Sequence, residues 1–236
     1  MPSRTSRLDR FLSRNTPFSM ADARLLIAQK RIVVDGLPAK SVQQRVTAFT
    51  QVVFDGRALN DTKPVYLMLN KPQGVVSATK DAKHATVMDL IEHPVKDTLH
   101  IAGRLDLNTT GLMLLTNDGA WSRNISLPEA KHRKIYEVSV SKPMNEAYIA
   151  AFQAGIYFAY EGLTTQPADL EILSPLTARL SLVEGRYHHV KRLFGYFQNR
   201  VLALHRVSVG SLTLSGLEVG NSRLLTQDEI QAAGRD

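Results

Sequence analysis

Residues 99–116 read LHIAGRLDLNTTGLMLLT: a polar, glycine-bounded segment from Ala102 to Gly111 lies between the apolar runs LHI and LMLLT. The second of these runs suits a strand, and the segment before it suits an active loop carried on a rigid sheet. Working outward from it, strand-like runs at 65–70, 111–116, 134–140, 168–173, 177–183 and 201–209 outnumber helical stretches at 118–126, 144–154, 187–198 and 226–233. A Thr226 to Glu229 capping box opens the last helix. The order lacks the regular βαβ alternation of a doubly wound sheet, so the expected class is α+β on a mainly antiparallel sheet. No internal repeat or low-complexity tract interrupts it.

Upstream the pattern changes. Leu8, Phe11 and Leu12 recur at helical spacing, and Ser19 to Asp22 gives a capping-box-like start to a second helix, ADARLLIAQK. Arg31-Ile32-Val33-Val34, an Asp35-Gly36 turn, the extended run VTAFTQVVF and a second turn at Asp55-Gly56 follow. This is a small helix-helix-strand module over residues 1–60. The polar stretch LNDTKP at 59–64 interrupts the apolar pattern, which places a linker at 61–64 and a larger domain at 65–236.

The distribution of charge agrees with that division. The chain of 236 residues has a net charge of +7, yet residues 1–60 hold ten Lys or Arg against four Asp, a net +6 that leaves +1 for the rest. A basic module on a nearly neutral body points to a polyanion gripped through phosphate contacts, with Arg7, Arg10, Arg24, Lys30 and Arg31 as candidate RNA-binding residues. A merely solvated basic face is the plainer reading. With 44% hydrophobic residues the chain can bury a large core. There is no cysteine, which excludes disulfides, thiol nucleophiles and cysteine-based zinc sites, and the seven histidines form no HExxH pattern, so no metal is expected. No run of about 18 apolar residues could span a membrane and MPSRTSRLDRF lacks the apolar stretch of a secretory signal, so a cytoplasmic protein without a membrane partner is expected.

Three stretches carry chemistry. In the first, Asp106 stands two residues from Arg104, whose guanidinium would keep the carboxylate ionised as a nucleophile requires; a turn-capping Asp is the alternative. The second, Glu184 to Phe194 (EGRYHHVKRLF), runs from a strand into a helix, and from Gly185 to Leu217 the chain has five Lys or Arg and no acid. Its basic residues, among them Arg186, His188, Lys191 and Arg192, interleave with Tyr187 and Tyr196 and suit phosphate neutralisation with base stacking. Val190, Leu193, Phe194 and Phe197 have the spacing of a helix core. In the third, Lys131-His132-Arg133-Lys134 precedes the alternating strand Ile135 to Val138, where Tyr136 either faces a pocket or joins the core.

Together GRLDLNTTGL at 103–112, KIYEV at 134–138, EGRYHHVKRLF at 184–194 and LNKPQG at 69–74 resemble the bacterial small-subunit ribosomal RNA pseudouridine synthases (Rsu-type family), in the family's order and over essentially the whole chain. The unit from Arg7 to Gly36 resembles a small RNA-binding module also found in one ribosomal small-subunit protein. The resemblance implies that Asp106 is the essential aspartate, that Tyr136 stacks on the target base and takes part in deprotonation, and that Lys191 pairs with the aspartate. It also implies that Leu204 lines the pocket, with Arg104, Arg186, His188 and Arg192 as substrate contacts. His189 stands where the family pattern has Gln, so that amide's hydrogen bonds are made by imidazole or lost. The residues before Arg7 exceed the usual start and suggest a disordered basic extension.

The implied reaction is an isomerisation of uridine in ribosomal RNA, free or in an assembly particle, by a monomer that needs no cofactor. The sequence contains neither GxGxxG nor GxxxxGK[ST], in keeping with that. A large-subunit enzyme of the same family and a noncatalytic ribosome-assembly protein are the alternatives. A glycoside hydrolase would need a second carboxyl group, for which Asp118 and Glu129 are available but have plain turn and loop readings.

Overall fold

The computed structural model describes residues 5–34, 36–47, 50–59, 63–126 and 132–233. The chain divides into one unit of Met1–Val65 with Asn117–Gly119 and a second of Tyr66–Thr116 with Ala120–Asp236. Of the expected linker, residues 61 and 62 lie outside the described residues, as do Met1 to Arg4 of the amino-terminal extension.

In the first unit the helices Leu8–Asn15 and Asp22–Ala28 pack on a four-stranded antiparallel sheet ordered Leu37–Pro38, Ile32–Val34, Val52–Phe54 and Arg57–Ala58. Leu8, Leu12, Ala23, Leu26, Ile32 and Val52 form its core. The second helix starts as its residues dictate: the Ser19 N–H donates to Asp22 Oδ2 (2.8 Å) and the Asp22 N–H to Ser19 Oγ (3.3 Å). Asp55 (φ +47°) and Gly56 (φ +79°) both take left-handed backbone, the geometry a tight hairpin needs and Asp-Gly tolerates. VTAFTQVVF is not one extended run. Arg45–Val46 pairs with Ser6–Arg7 while Val52–Phe54 pairs with Ile32–Val34; Ala48 and Phe49 between them, like Asp35 of the first turn, lie outside the described residues.

The second unit is built on a nine-stranded sheet, whose main path runs Asp169–Ser174, Thr177–Leu182, Lys134–Val140, Val201–Val209, Thr110–Thr116, Tyr66–Lys71, Ser222–Leu224. Every pairing along this path is antiparallel except that of Val201–Val209 with Thr110–Thr116, so the mainly antiparallel expectation holds with one parallel joint at the centre. Leu112, Met113, Leu114 and Leu115 are all fully buried, which is why LMLLT shows no alternation: this strand is covered on both faces.

One edge of Thr110–Thr116 is shared by two partners. Its first residues pair with His205 and Arg206, its last with His100–Ala102. The sheet therefore forks there, and the polar segment from Gly103 to Thr109 connects His100–Ala102 to Thr110–Thr116 across the fork. The joint demands glycine at 111: φ is +106°, and a Cβ would stand 2.3 Å from the Arg206 carbonyl oxygen.

Helices follow the sequence expectation at Gly119–Ser126, Glu146–Ala154 and Gln227–Ala233, the last with the Thr226 to Glu229 box in place (2.8 and 3.2 Å). The expected helix at 187–198 is shorter, His189–Gly195, because His188 (φ +49°) and Gln198 (φ +52°) take left-handed backbone at its ends. Val190, Leu193 and Phe194 are buried core, and Phe197 stacks on Tyr148 (3.8 Å between ring centres).

Candidate active site

The Gly103 to Thr109 loop is anchored from below. Lys71, the last residue of its strand, is fully buried, and its Nζ donates to the carbonyls of Pro72 (3.0 Å), Leu107 (3.1 Å) and Thr109 (2.9 Å). The Gly74 N–H adds a bond to the Leu107 carbonyl (3.0 Å), and Ser77 Oγ both donates to the Leu105 carbonyl and accepts its N–H (3.1 Å). Arg206, also buried, spans the fork by donating to the carbonyls of Leu112 (2.7 Å) and Gly103 (3.1 Å). Burial pushes the Lys71 ammonium down to about 8, against an opposing pull from Asp106. Loop carbonyls that would lack partners over a forked sheet are thus saturated by side-chain cations, and Asp106 is held on a rigid support.

Asp106 meets the second chemical stretch here. Lys191 Nζ donates to its Oδ2 (2.9 Å), and His188 Nε2 lies 3.6 Å from its Oδ1. Arg104, expected to be the cation at this carboxylate, is exposed and makes no ion pair with it; among the described residues its guanidinium has no acidic partner. Two residues along an irregular loop did not bring the side chains together, whereas the helix His189–Gly195 carries Lys191 across to the loop.

A cavity of about 140 Å³ opens above the fork, and Asp106, Tyr136, Lys191 and Leu204 all line it. Tyr136 reaches it because Lys134, Tyr136, Val138 and Val140 share the buried face of their strand. The ring is 8% exposed, and its hydroxyl has no hydrogen-bond partner among the described residues, so it is neither bulk surface nor closed core. Lys134, in phase with Tyr136, also lines the cavity; its Nζ donates to the carbonyls of His132 (3.2 Å) and Val183 (3.0 Å). Burial first, then the nearby Arg206 charge, pushes it down to about 8. The basic run before this strand is therefore no surface patch: His132 and Lys134 are buried and Arg133 pairs with Asp169, while Lys131 lies outside the described residues.

Glu184 is a second carboxylate at the cavity wall, missed from sequence, and it is fully engaged. It accepts the Gln166 N–H (2.9 Å) and Arg186 Nε (3.0 Å) and lies 3.4 Å from His189 Nε2. The His189 imidazole makes no hydrogen bond among the described residues. Burial pushes its pKa down more than Glu184 raises it, so the bonds an amide would make at this position are lost. Arg192 does not line the cavity: it pairs with Glu161 and lies 4.2 Å over the Phe158 ring.

Residues 65–195 match the family model described as RNA pseudouridylate synthase. This chain belongs to the RNA pseudouridylate synthase family. Over 226 residues, 95% of this chain and 98% of the relative, it is 49% identical to the ribosomal small subunit pseudouridine synthase A of Pseudomonas aeruginosa. It is 40% identical to the protein of the same name from Escherichia coli strain K12, over 95% of this chain and 98% of that one. A solved structure described as a pseudouridylate synthase matches with a TM-score of 0.71 at 38% identity, over 96% of this chain and 99% of that chain. The protein is an RNA pseudouridine synthase, an isomerase.

In the first unit of this pseudouridine synthase the five arginines and lysines singled out from sequence differ in setting. Arg7 pairs with Asp9 (2.6 Å) and Arg31 with Asp55, whereas Arg10, Arg24 and Lys30 are exposed with no ion pair among the described residues. Arg7 and Arg10 line one groove with Arg14 and Arg45, two cations the sequence reading had not selected, and a neighbouring one with Arg24. Net charge points to such a module; only packing shows which cations share a groove.

Proposed function

We propose that this pseudouridine synthase isomerises a specific uridine of small-subunit ribosomal RNA in the bacterial cytoplasm, as a monomer, with Asp106 as the catalytic carboxylate. The observation that carries the reading is the hydrogen bond from Lys191 to Asp106 (2.9 Å) beside a cavity walled by Tyr136 and Leu204. The substrate class is supported by the small-subunit synthases of Pseudomonas aeruginosa and Escherichia coli, which align over nearly the whole chain.

In this reading the target uridine leaves its stack and enters the cavity, its base lying against the Tyr136 ring. Lys191 and His188 favour the ionised carboxylate, which both routes at the ribose require: attack on the anomeric carbon, or removal of a ribose proton. The bond from ribose to ring nitrogen breaks, the base turns, and a ring carbon bonds to the same ribose carbon, which on the first route releases Asp106 and on the second is followed by return of the proton from Asp106 to the ribose. That ring carbon loses a proton, with Tyr136 as acceptor, and the freed ring nitrogen gains one. Atoms balance within the substrate, so neither an oxidant nor a phosphoryl donor is consumed. Arg104, Arg186 and Arg192 serve the strand around the target, and the first unit, through Arg7, Arg10, Arg24, Lys30 and Arg31, grips more distant phosphates.

The test is tritium release from small-subunit RNA labelled at the ring carbon that becomes bonded to ribose, supplied free and as an assembly particle. The unmodified protein releases label, and Asp106→Asn binds the RNA but releases none. Binding by both proteins with release by neither overturns the reading in favour of a noncatalytic RNA-binding protein.

A further inference from the structure

A second, larger groove of about 510 Å³ adjoins the catalytic cavity and shares Asp106, Arg104, Arg186 and His188 with it, while Tyr187 lines the groove and not the cavity. Tyr187 is 78% exposed, yet its ring is not loose: it stacks on the His188 ring at 3.9 Å with 21° between planes. His188 in turn holds left-handed backbone at φ +49°, a costly conformation for a side chain of this size, and its other end lies 3.6 Å from Asp106. The strain is accounted for if it orients a two-ring platform beside the catalytic carboxylate. Around that platform the cations have donors to spare. Arg104 has no acidic partner among the described residues, and Arg186 commits only its Nε to Glu184.

We propose that this groove is a subsite for the nucleotide next to the target uridine in the RNA chain, its base stacked on the free face of Tyr187 and its phosphate met by Arg104 and Arg186. An exposed aromatic face flanked by guanidinium groups with donors to spare is the chemistry that holds an unstacked base and its backbone. The groove begins at Asp106, where the ribose of the target lies, so a chain leaving the cavity enters it directly. Capturing the neighbouring base compensates the stacking lost when the target is drawn out. The inference rests on the proposed function in that the target occupies the cavity at Asp106.

The test uses the full chain with Tyr187→Ala and Tyr187→Phe. On small-subunit ribosomal RNA, Tyr187→Ala raises KM about tenfold, equivalent to about 1.4 kcal/mol and at the low end of base–aromatic stacking. It leaves kcat within about twofold, and Tyr187→Phe, which keeps the stacking face, restores KM. In parallel, uridine trinucleotides carrying 2-aminopurine on the 5′ or the 3′ side are titrated with each protein. Fluorescence is quenched by the unmodified protein and by Tyr187→Phe from one side only, and Tyr187→Ala abolishes the quenching. Unchanged KM and quenching in Tyr187→Ala overturn the subsite, as does a loss confined to kcat. If even the unmodified protein makes no pseudouridine, the proposed function fails, and the quenching comparison still decides whether the groove binds a base.

Discussion

The two units use positive charge in opposite ways. In the first, Arg10, Arg14, Arg24 and Arg45 stand exposed around shallow grooves. In the second, Lys71, Lys134 and Arg206 are buried, each directed at backbone carbonyls around the Asp106 loop and its cavity. Exposed cations keep their hydration and are released to a phosphate at little cost, which suits capture of a polyanion. Buried cations have exchanged hydration for fixed carbonyl partners, which suits positioning. The unit that carries only a small share of the net charge therefore contains the cations on which the site's geometry depends. Net charge measures the first use and is blind to the second.

The contrast is broken most severely at Lys71. Lys71→Met leaves the carbonyls of Pro72 and Thr109 without this donor and Leu107 with only the Gly74 N–H. We expect a loss of about 3 kcal/mol in urea unfolding and, from misplacement of Asp106, a fall in kcat of about 100-fold, with KM for RNA little changed. If kcat survives, the loop does not depend on its buried cation. The opposite pattern is expected on replacing Arg10, Arg14 and Arg45 together by Ala. Stability stays within about 0.5 kcal/mol because all three are exposed. KM for RNA rises about tenfold, and the dependence of log affinity on log salt flattens by about 2. A salt dependence identical to that of the unmodified protein would remove the first unit's groove from RNA binding.

The smallest effect is a pH slope. Burial holds Lys134 near 8 in the folded chain, against the ordinary lysine value of 10.5. Between those values the unfolded chain binds more protons, so the burial penalty is complete below about pH 8 and fades as pH rises toward 10.5. Lys134→Met should therefore show a shallower rise of unfolding free energy across that window than the unmodified protein, by about 1 kcal/mol per pH unit. The exposed arginines of the first unit contribute nothing to this slope, since they stay charged throughout. Equal slopes would mean that Lys134 is hydrated in solution.

How far the sequence could be read varies from element to element. Lys134–Val140 and Val201–Val209 were legible because a half-buried strand alternates, and Gln227–Ala233 because its capping residues lie three apart. Ser222–Leu224 and His100–Ala102 were not assigned as strands, being three residues each and too short to show a period, although the second was visible as an apolar run. The start of the helical stretch at 187–198 was placed too early because nothing local announces that His188 takes left-handed backbone, with its ring between Tyr187 and Asp106. Lys134 did leave a trace. A lysine in phase with Tyr136, Val138 and Val140 is a cation on a buried face, and that phase could have selected it.

By itself the sequence determined the α+β class and the family to which the chain belongs, and it displayed the loop that carries Asp106, because periodicity, turn chemistry and short motifs are written in neighbouring residues. Which cation meets Asp106 could not be read from local spacing: the family resemblance implied Lys191, and the tertiary structure shows it there. Arg104 is two residues away and makes no ion pair with Asp106, whereas Lys191 is 85 residues away and donates to the carboxylate. The same holds for Lys71, quoted as part of a motif but placed under the loop only when strand, fork and crossing segment come together. Proximity along an irregular loop sets no direction for a side chain, while a sheet that forks around a parallel joint sets several at once.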